Sequence, residues 1–136
     1  MKGSQACINI NKEWDIVGAR QLGRDIAKEI GFCMVDQARI ATAISELARN
    51  IYLYAINGKI CFEVIESMDR KGIRLTAIDT GPGIENLSQV MQDGYTTSGG
   101  LGAGLPGVKR LMDEFEIYSE VGKGTKIIAI KWVRER

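Results

Sequence analysis

Histidine is missing altogether from these 136 residues. That absence excludes a Ser-His-Asp or Cys-His mechanism carried by this chain alone, a histidine-based metal site, and autophosphorylation on histidine. Any catalysis must run on carboxylates, amides, backbone N–H groups and a bound cofactor. Cysteine is scarce: Cys7, Cys33 and Cys61 are odd in number and no two lie at metal-ligand spacing. Cys61 sits in an apolar run and reads as a small core residue. The three are expected as free thiols in a reducing compartment. No segment approaches the ~18 consecutive apolar residues that suggest a membrane span, and no apolar stretch near Met1 resembles a signal peptide. A cytoplasmic protein without membrane contact is therefore expected. A charge excess of one sign is also lacking, since Lys plus Arg number 18 and Asp plus Glu 17. There is no net field to hold a nucleic-acid backbone, and the short basic run Lys131 to Arg136 reads as a solvated chain end. Internal repeats and low-complexity linkers are absent too.

What is present is an ordinary globular balance, 45% apolar and 26% charged. The length suits one domain, residues 1–136, with a core of its own. Ala6 to Asn11 alternates weakly and reads as a first strand. From Trp14 to Ile30, the residues Trp14, Val17, Leu22, Ile26 and Ile30 recur near helical spacing. Gly31 then suits the left-handed position past a helix end. Asp36 reads as the cap of a second helix, Gln37 to Tyr54, whose apolar positions are Ile40, Ile44, Leu47, Ile51 and Tyr54. Asn57-Gly58 signals a turn. Strands are expected over Lys59 to Glu66 and Ile73 to Asp79, joined by a hairpin turn at Asp69-Arg70-Lys71-Gly72. Gly81 to Gly104 is glycine-rich without a stable period, the mark of a lid or a disordered piece. A short helix, Leu105 to Glu114, precedes strands at Phe115 to Glu120 and Thr125 to Val133, which Val121-Gly122-Lys123-Gly124 joins. Helices in runs and strands in hairpins point to an α+β fold: a two-layer sandwich whose mixed, mostly antiparallel sheet is covered by helices on one face.

Three stretches carry chemistry. In Ser45-Glu46-Leu47-Ala48-Arg49-Asn50, Glu46 and Asn50 are four apart and share a helix face that borders the apolar stripe. A wet i,i+4 pair at the core edge is the plain explanation. The functional one is a base, Glu46, beside an amide, Asn50, that helps hold Mg²⁺, a cation that takes few protein oxygens. Asp79-Thr80-Gly81-Pro82-Gly83 ends an apolar strand. The carboxylate can accept from the exocyclic amine of a base while Gly81 and Gly83 admit a flat ligand; alternatively Asp79 bonds its own backbone in a tight turn. Ser98-Gly99-Gly100-Leu101-Gly102-Ala103-Gly104-Leu105 runs into a helix, where glycine-dense loops can turn N–H groups onto phosphates. The alternative is a flexible linker, although a linker rarely leads straight into an apolar helix.

Familiar phosphate motifs do not explain the pattern. Gly102-Ala103-Gly104-Leu105-Pro106-Gly107 fits G-x-G-x-x-G, but no strand directly precedes it as a dinucleotide fold requires. Neither a G-x-x-x-x-G-K-[ST] loop nor the V-A-I-K and H-R-D elements of eukaryotic-type kinases occur.

The order of the weak motifs is more specific than any one of them. Glu46 and Asn50 on a helix, Asp79-x-Gly81-x-Gly83 after a strand, Gly100-x-Gly102-x-Gly104, and Gly124-Thr125 entering the last strand together resemble the GHKL (Bergerat) superfamily, the group of gyrase, MutL and the histidine kinases. The resemblance spans about Trp14 to Trp132. The small size and the Ser45–Asn50 run are similar to the bacterial serine/threonine switch kinases of the stressosome branch. That resemblance implies a serine/threonine protein kinase using ATP and Mg²⁺. Asn50 would hold the metal, and Glu46 would polarise the acceptor hydroxyl. Asp79, with Thr125 nearby, would read adenine. Gly81 and Gly83 would sit close to the base. Gly100, Leu101, Gly102, Ala103, Gly104 and Leu105 would line the phosphates as part of a lid. The implied partners are a STAS-domain antagonist as substrate and a PP2C-type phosphatase activated by the free kinase. One departure stands out. Anti-sigma kinases carry Asn-x-x-x-His after the metal ligand, whereas this chain has Asn50-Ile51-Tyr52-Leu53-Tyr54, which argues against a sigma-factor binder. The alternatives are an anti-sigma factor and an ATP-driven switch without kinase activity.

Overall fold

A computed structural model of the chain describes residues 5–55, 57–83 and 104–134. In chain order the elements are β1 (Gln5–Asn9), α1 (Glu13–Ile30), α2 (Met34–Tyr54), β2 (Gly58–Ser67), β3 (Arg70–Asp79), α3 (Gly104–Leu111), β4 (Glu114–Glu120) and β5 (Gly124–Trp132). The strands lie in the order β1-β2-β3-β5-β4. Every pairing among the described residues is antiparallel. The expected α+β sandwich is therefore present.

Alternation decides which face of the sheet is covered. Phe62 pairs with Leu75 and Ile60 with Ala77; across the next ladder Leu75 meets Ala129 and Ala77 meets Ile127. These residues are buried with Ile40, Ile44 and Leu47 of α2, Ala19 and Ala27 of α1, and Leu105 and Val108 of α3. The three helices among the described residues thus seal one face, and the period of two along each strand leaves the other to polar groups such as the Arg74–Glu63 ion pair at 2.7 Å. Where α1 crosses this layer the fit is tight. A Cβ added at Gly23 would lie 2.1 Å from Ile44 Cδ1 and 2.9 Å from Phe62 Cε1.

Local chemistry sets the element ends. Asp15 Oδ2 accepts from the backbone N–H groups of Asn11 and Lys12, each at 2.9 Å, so the first turn of α1 closes on a carboxylate. Those two donors favour the ionised form and hold the Asp15 carboxyl below its ordinary range. Gly31, at φ 114°, ends the helix in the left-handed conformation expected of it.

Four expectations need correction. The helix expected over Leu105 to Glu114 ends at Leu111, and Glu114 already opens β4. Asp36 is not the cap of α2: extended Cys33 precedes the helix, and Asp36 lies in its first turn, buried against Arg39 and Lys131. The β2–β3 turn is Met68-Asp69, with φ of 50° and 71°, between the paired Ser67 and Arg70. The core alternation of Ile60, Phe62, Ile73 and Leu75 fixes that register, which leaves only two residues for the loop and places Gly72 in the strand. Finally, Cys7 and Cys61 are not free thiols. They oppose one another across β1 and β2 and form a disulfide, with Cα atoms 4.0 Å apart. A cross-strand pairing over 54 residues of sequence cannot be read from spacing. Cys33 is free, as expected, and it is exposed.

Candidate nucleotide site

The site forms where α2 runs out over the end of β3. Glu46 and Asn50 sit one turn apart on α2. Glu46 is 2% exposed, and its Oε2 accepts from Arg49 Nη1 at 3.0 Å. Asn50 is half-buried. One turn later the helix stops at Ala55, whose N–H still reaches Ile51 O. The segment leaving β3 packs directly on this stop: a Cβ at Gly81 would lie 2.7 Å from Ala55 Cα and 3.2 Å from Tyr54 O.

Asp79, the last residue of β3, is paired with Thr125 in β5. Thr125 in turn is paired with Ser119 in β4. The three share the alternation of Leu75, Ala77, Ile127 and Ile117, so their side chains fall on the helix-covered side, at the edge of the core. Ser119 Oγ and Thr125 Oγ1 are 2.9 Å apart, and Ser119 also donates to Gly124 O at 3.3 Å. Asp79 Oδ1 accepts from Gly81 N–H at 2.9 Å, the local Asx turn. An ionised carboxylate accepts about four hydrogen bonds, so this turn leaves capacity for an amine donor. Both sequence readings of Asp79 are therefore compatible with one geometry.

Glycine is required here by the chain itself. At Gly83, φ is 79° and a Cβ would lie 2.5 Å from Glu120 O; at Gly124, φ is 124° and a Cβ would meet Asp79 O at 2.0 Å. Gly122 N–H donates to Pro82 O at 2.9 Å and Thr80 N–H to Asn57 O at 2.9 Å. The β4–β5 turn is thus clamped against the segment after β3.

Gly104 and Leu105 open α3 and both are buried. Leu105 belongs to the hydrophobic core, so what it can offer a phosphate is its backbone N–H. Pro106, which has none, sits in the first turn, where no intrahelical donor is lost. Gly100, Leu101, Gly102 and Ala103 lie outside the described residues. Among the described residues no cluster of three His, Cys, Asp or Glu side chains could hold a metal, and no helix is long and apolar enough to cross a membrane. Two residues at this site escaped the sequence reading. Arg49 stands inside the motif that contains Glu46, three residues on, a spacing that could have flagged it. Ser119 is tied to Thr125 only by strand register.

A helix-borne Glu and Asn beside a strand-end Asp that faces a Thr, with backbone-tight glycines, is the constellation of one family. Residues 35–135 match the model of the histidine kinase-, DNA gyrase B-, and HSP90-like ATPases, and the chain belongs to that family. Serine/threonine-protein kinase RsbT of Bacillus subtilis (strain 168) is 64% identical over 130 residues, covering 96% of this chain and 98% of the relative. Anti-sigma F factor of Caldanaerobacter subterraneus subsp. tengcongensis is 32% identical over 120 residues, covering 85% and 83%. Among solved structures, the mycobacterial sensor histidine kinase MprB superposes with a TM-score of 0.55 at 14% identity, covering 98% of this chain and all of that one. The catalytic domain of histidine kinase ThkA gives 0.55 at 17%, covering 93% and 97%. These two likenesses concern the fold.

Proposed function

We propose that this chain is a serine/threonine protein kinase, one ATP-binding domain over residues 1–136, that transfers the γ-phosphate of Mg-ATP to a Ser or Thr of a STAS-domain antagonist. The observation that carries the reading is the buried Glu46 one turn before Asn50, on the helix whose end packs against the Asp79–Gly83 segment. The 64% identity to a serine/threonine-protein kinase supports the same class.

In this reading Asp79 accepts from the adenine amine, with Thr125 beside it, and Gly81 and Gly83 keep that wall flat. Gly100, Leu101, Gly102, Ala103, Gly104 and Leu105 would offer backbone N–H groups to the phosphates, a role that rests on the glycine pattern of the sequence. A Mg²⁺, which takes most of its oxygens from phosphate and water, fits the single amide oxygen that Asn50 offers; it would neutralise phosphate charge. Glu46 takes the proton of the acceptor hydroxyl as that oxygen bonds the γ-phosphorus, the bond to the β–γ bridging oxygen breaks, and ADP leaves. We place the kinase in the cytoplasm, within a stressosome-type partner-switching pathway in which the free enzyme activates a PP2C-type phosphatase. In a reducing cytosol, Cys7 and Cys61 would persist as opposed thiols in the same register.

The test is transfer from γ-labelled ATP with Mg²⁺ to protein in a lysate of the source cells, with Asn50→Ala as control. A labelled band of STAS size, bearing acid-stable phosphoserine or phosphothreonine and absent with the variant, is expected. Nucleotide binding without any labelled protein would overturn the kinase reading. It would favour an anti-sigma factor, the reading that the 32% identity to Anti-sigma F factor supports; co-purification of a sigma subunit would then identify it.

A further inference from the structure

We propose that Arg49 is a positioning residue that sets the orientation of the Glu46 carboxylate for proton abstraction. The inference rests on the reading of Glu46 as the base. Three observations carry it. The Glu46 side chain is 3% exposed, so its charge is cut off from bulk water and needs a fixed partner. Arg49 Nη1 sits 3.0 Å from Oε2, one turn further along the same helix. The Arg49 side chain is itself 36% exposed, so the pair reaches from the buried acid to solvent.

An ordinary i,i+3 ion pair on a helix contributes little, because both ends are wet. Here the acid end is dry, and the pair differs from a surface pair in what its loss would do. The hydrogen bond from the guanidinium restrains the position of Oε2, and with it the carboxylate, relative to the helix. A general base works only within hydrogen-bond reach of the proton it takes, ~2.6–3.2 Å. A displacement of about 1 Å at such a group can cost on the order of 100-fold in rate. Without Arg49, the same carboxylate is still present but loses the guanidinium that restrains Oε2.

The experiment compares wild type, R49M, R49K, E46Q and the E46Q/R49M double variant. Turnover is the initial rate of label transfer from saturating γ-labelled Mg-ATP to the acceptor band of the lysate. Nucleotide affinity is measured with trinitrophenyl-ATP. R49M is expected to lose roughly 10- to 100-fold in turnover, with trinitrophenyl-ATP affinity within about twofold of wild type and with partial recovery in R49K. In the E46Q background the further change R49M should have almost no effect, because the group it positions is gone. Should R49M fail to fold, Arg49→Gln carries the same comparison. Wild-type turnover in R49M would overturn the proposal. So would a parallel loss of nucleotide affinity, which would make Arg49 a phosphate contact, or an equal fold-loss in the E46Q background, which would mark a role independent of the acid. Wild-type turnover in E46Q is a separate outcome: it removes the base assignment itself, whatever R49M does.

Discussion

Lys131 Nζ donates to the backbone oxygen of Leu111 at 2.7 Å, so a buried cation of β5 closes the last turn of α3. The same nitrogen lies 3.9 Å from Asp36 and 3.9 Å from Asp113. Lys131 and Asp36 are both about 3% exposed. A cation at a helix C-terminus is favourable, and a buried one that also faces carboxylates is costly to remove on its own. Lys131→Ala should destabilise the fold by about 1–3 kcal/mol, the cost of leaving the buried Leu111 oxygen without its donor, because Asp36 keeps Arg39 and Asp113 keeps Arg134. Urea denaturation measures it; a change under 1 kcal/mol would mean that the network behaves like a surface pair.

Asp79→Asn separates binding from folding. Asparagine keeps a side-chain oxygen for the Gly81 N–H that Asp79 now bonds, but it replaces a carboxylate acceptor by an amide that also donates. Melting temperature should stay close to wild type while ATP affinity falls roughly 10- to 100-fold, the range for losing a hydrogen bond to a charged group. Calorimetric titration with ATP decides it. Unchanged affinity would remove Asp79 from the adenine assignment.

The hairpin at Met68-Asp69 offers a gain. Both residues hold positive φ, and Met68 is almost fully exposed. Two-residue turns of this kind favour Asn-Gly, because ordinary L-residues resist the left-handed region by about 1–2 kcal/mol. The double change Met68→Asn, Asp69→Gly should stabilise the protein by roughly 1 kcal/mol, read as a higher urea midpoint with an unchanged slope. A lower midpoint would show that the exposed methionine contributes something the turn geometry does not reveal.

Thiol counting tests the Cys7–Cys61 link. The oxidised protein, denatured without reductant, should titrate one thiol, Cys33; after reduction it should titrate three. Closing a segment of 54 residues constrains the unfolded chain, so reduction should lower stability by about 2–4 kcal/mol. Three reactive thiols before reduction would mean that the strands hold opposed thiols only.

Much of this arrangement was legible before any coordinates, for physical reasons. The strands and helices announced themselves because Ile60, Phe62, Ile73 and Leu75 keep a period of two, whereas Ile40, Ile44, Leu47 and Ile51 keep one near 3.6. Glu46 and Asn50 could be placed on one face because helix geometry is local. Relations across the sheet were hidden. Only the family resemblance puts Thr125 near Asp79, and nothing in the chain says that Ser119 reaches Thr125 or that Cys7 meets Cys61, since register is settled by the whole core. Asp36 misleads for a partly related reason: an Asp before a helical pattern normally caps it, but this one lies inside the first turn, bonded by Arg39 at 2.9 Å and facing Lys131 of β5 at 3.9 Å. The glycine-rich approach to α3 keeps its sequence reading, because Gly100 to Ala103 lie outside the described residues.

The clamp between Gly122 and Pro82, with Asp79 opposite Thr125, joins segments some forty residues apart in the chain. Contacts of such long range form late, once the intervening chain can close. A growing polypeptide that has made everything through β3 therefore holds Glu46, Asn50 and Asp79, yet lacks the partner strand that would complete the wall. On the proposed reading of the site, a chain cut after β3 should therefore bind nucleotide far more weakly than one that includes β5.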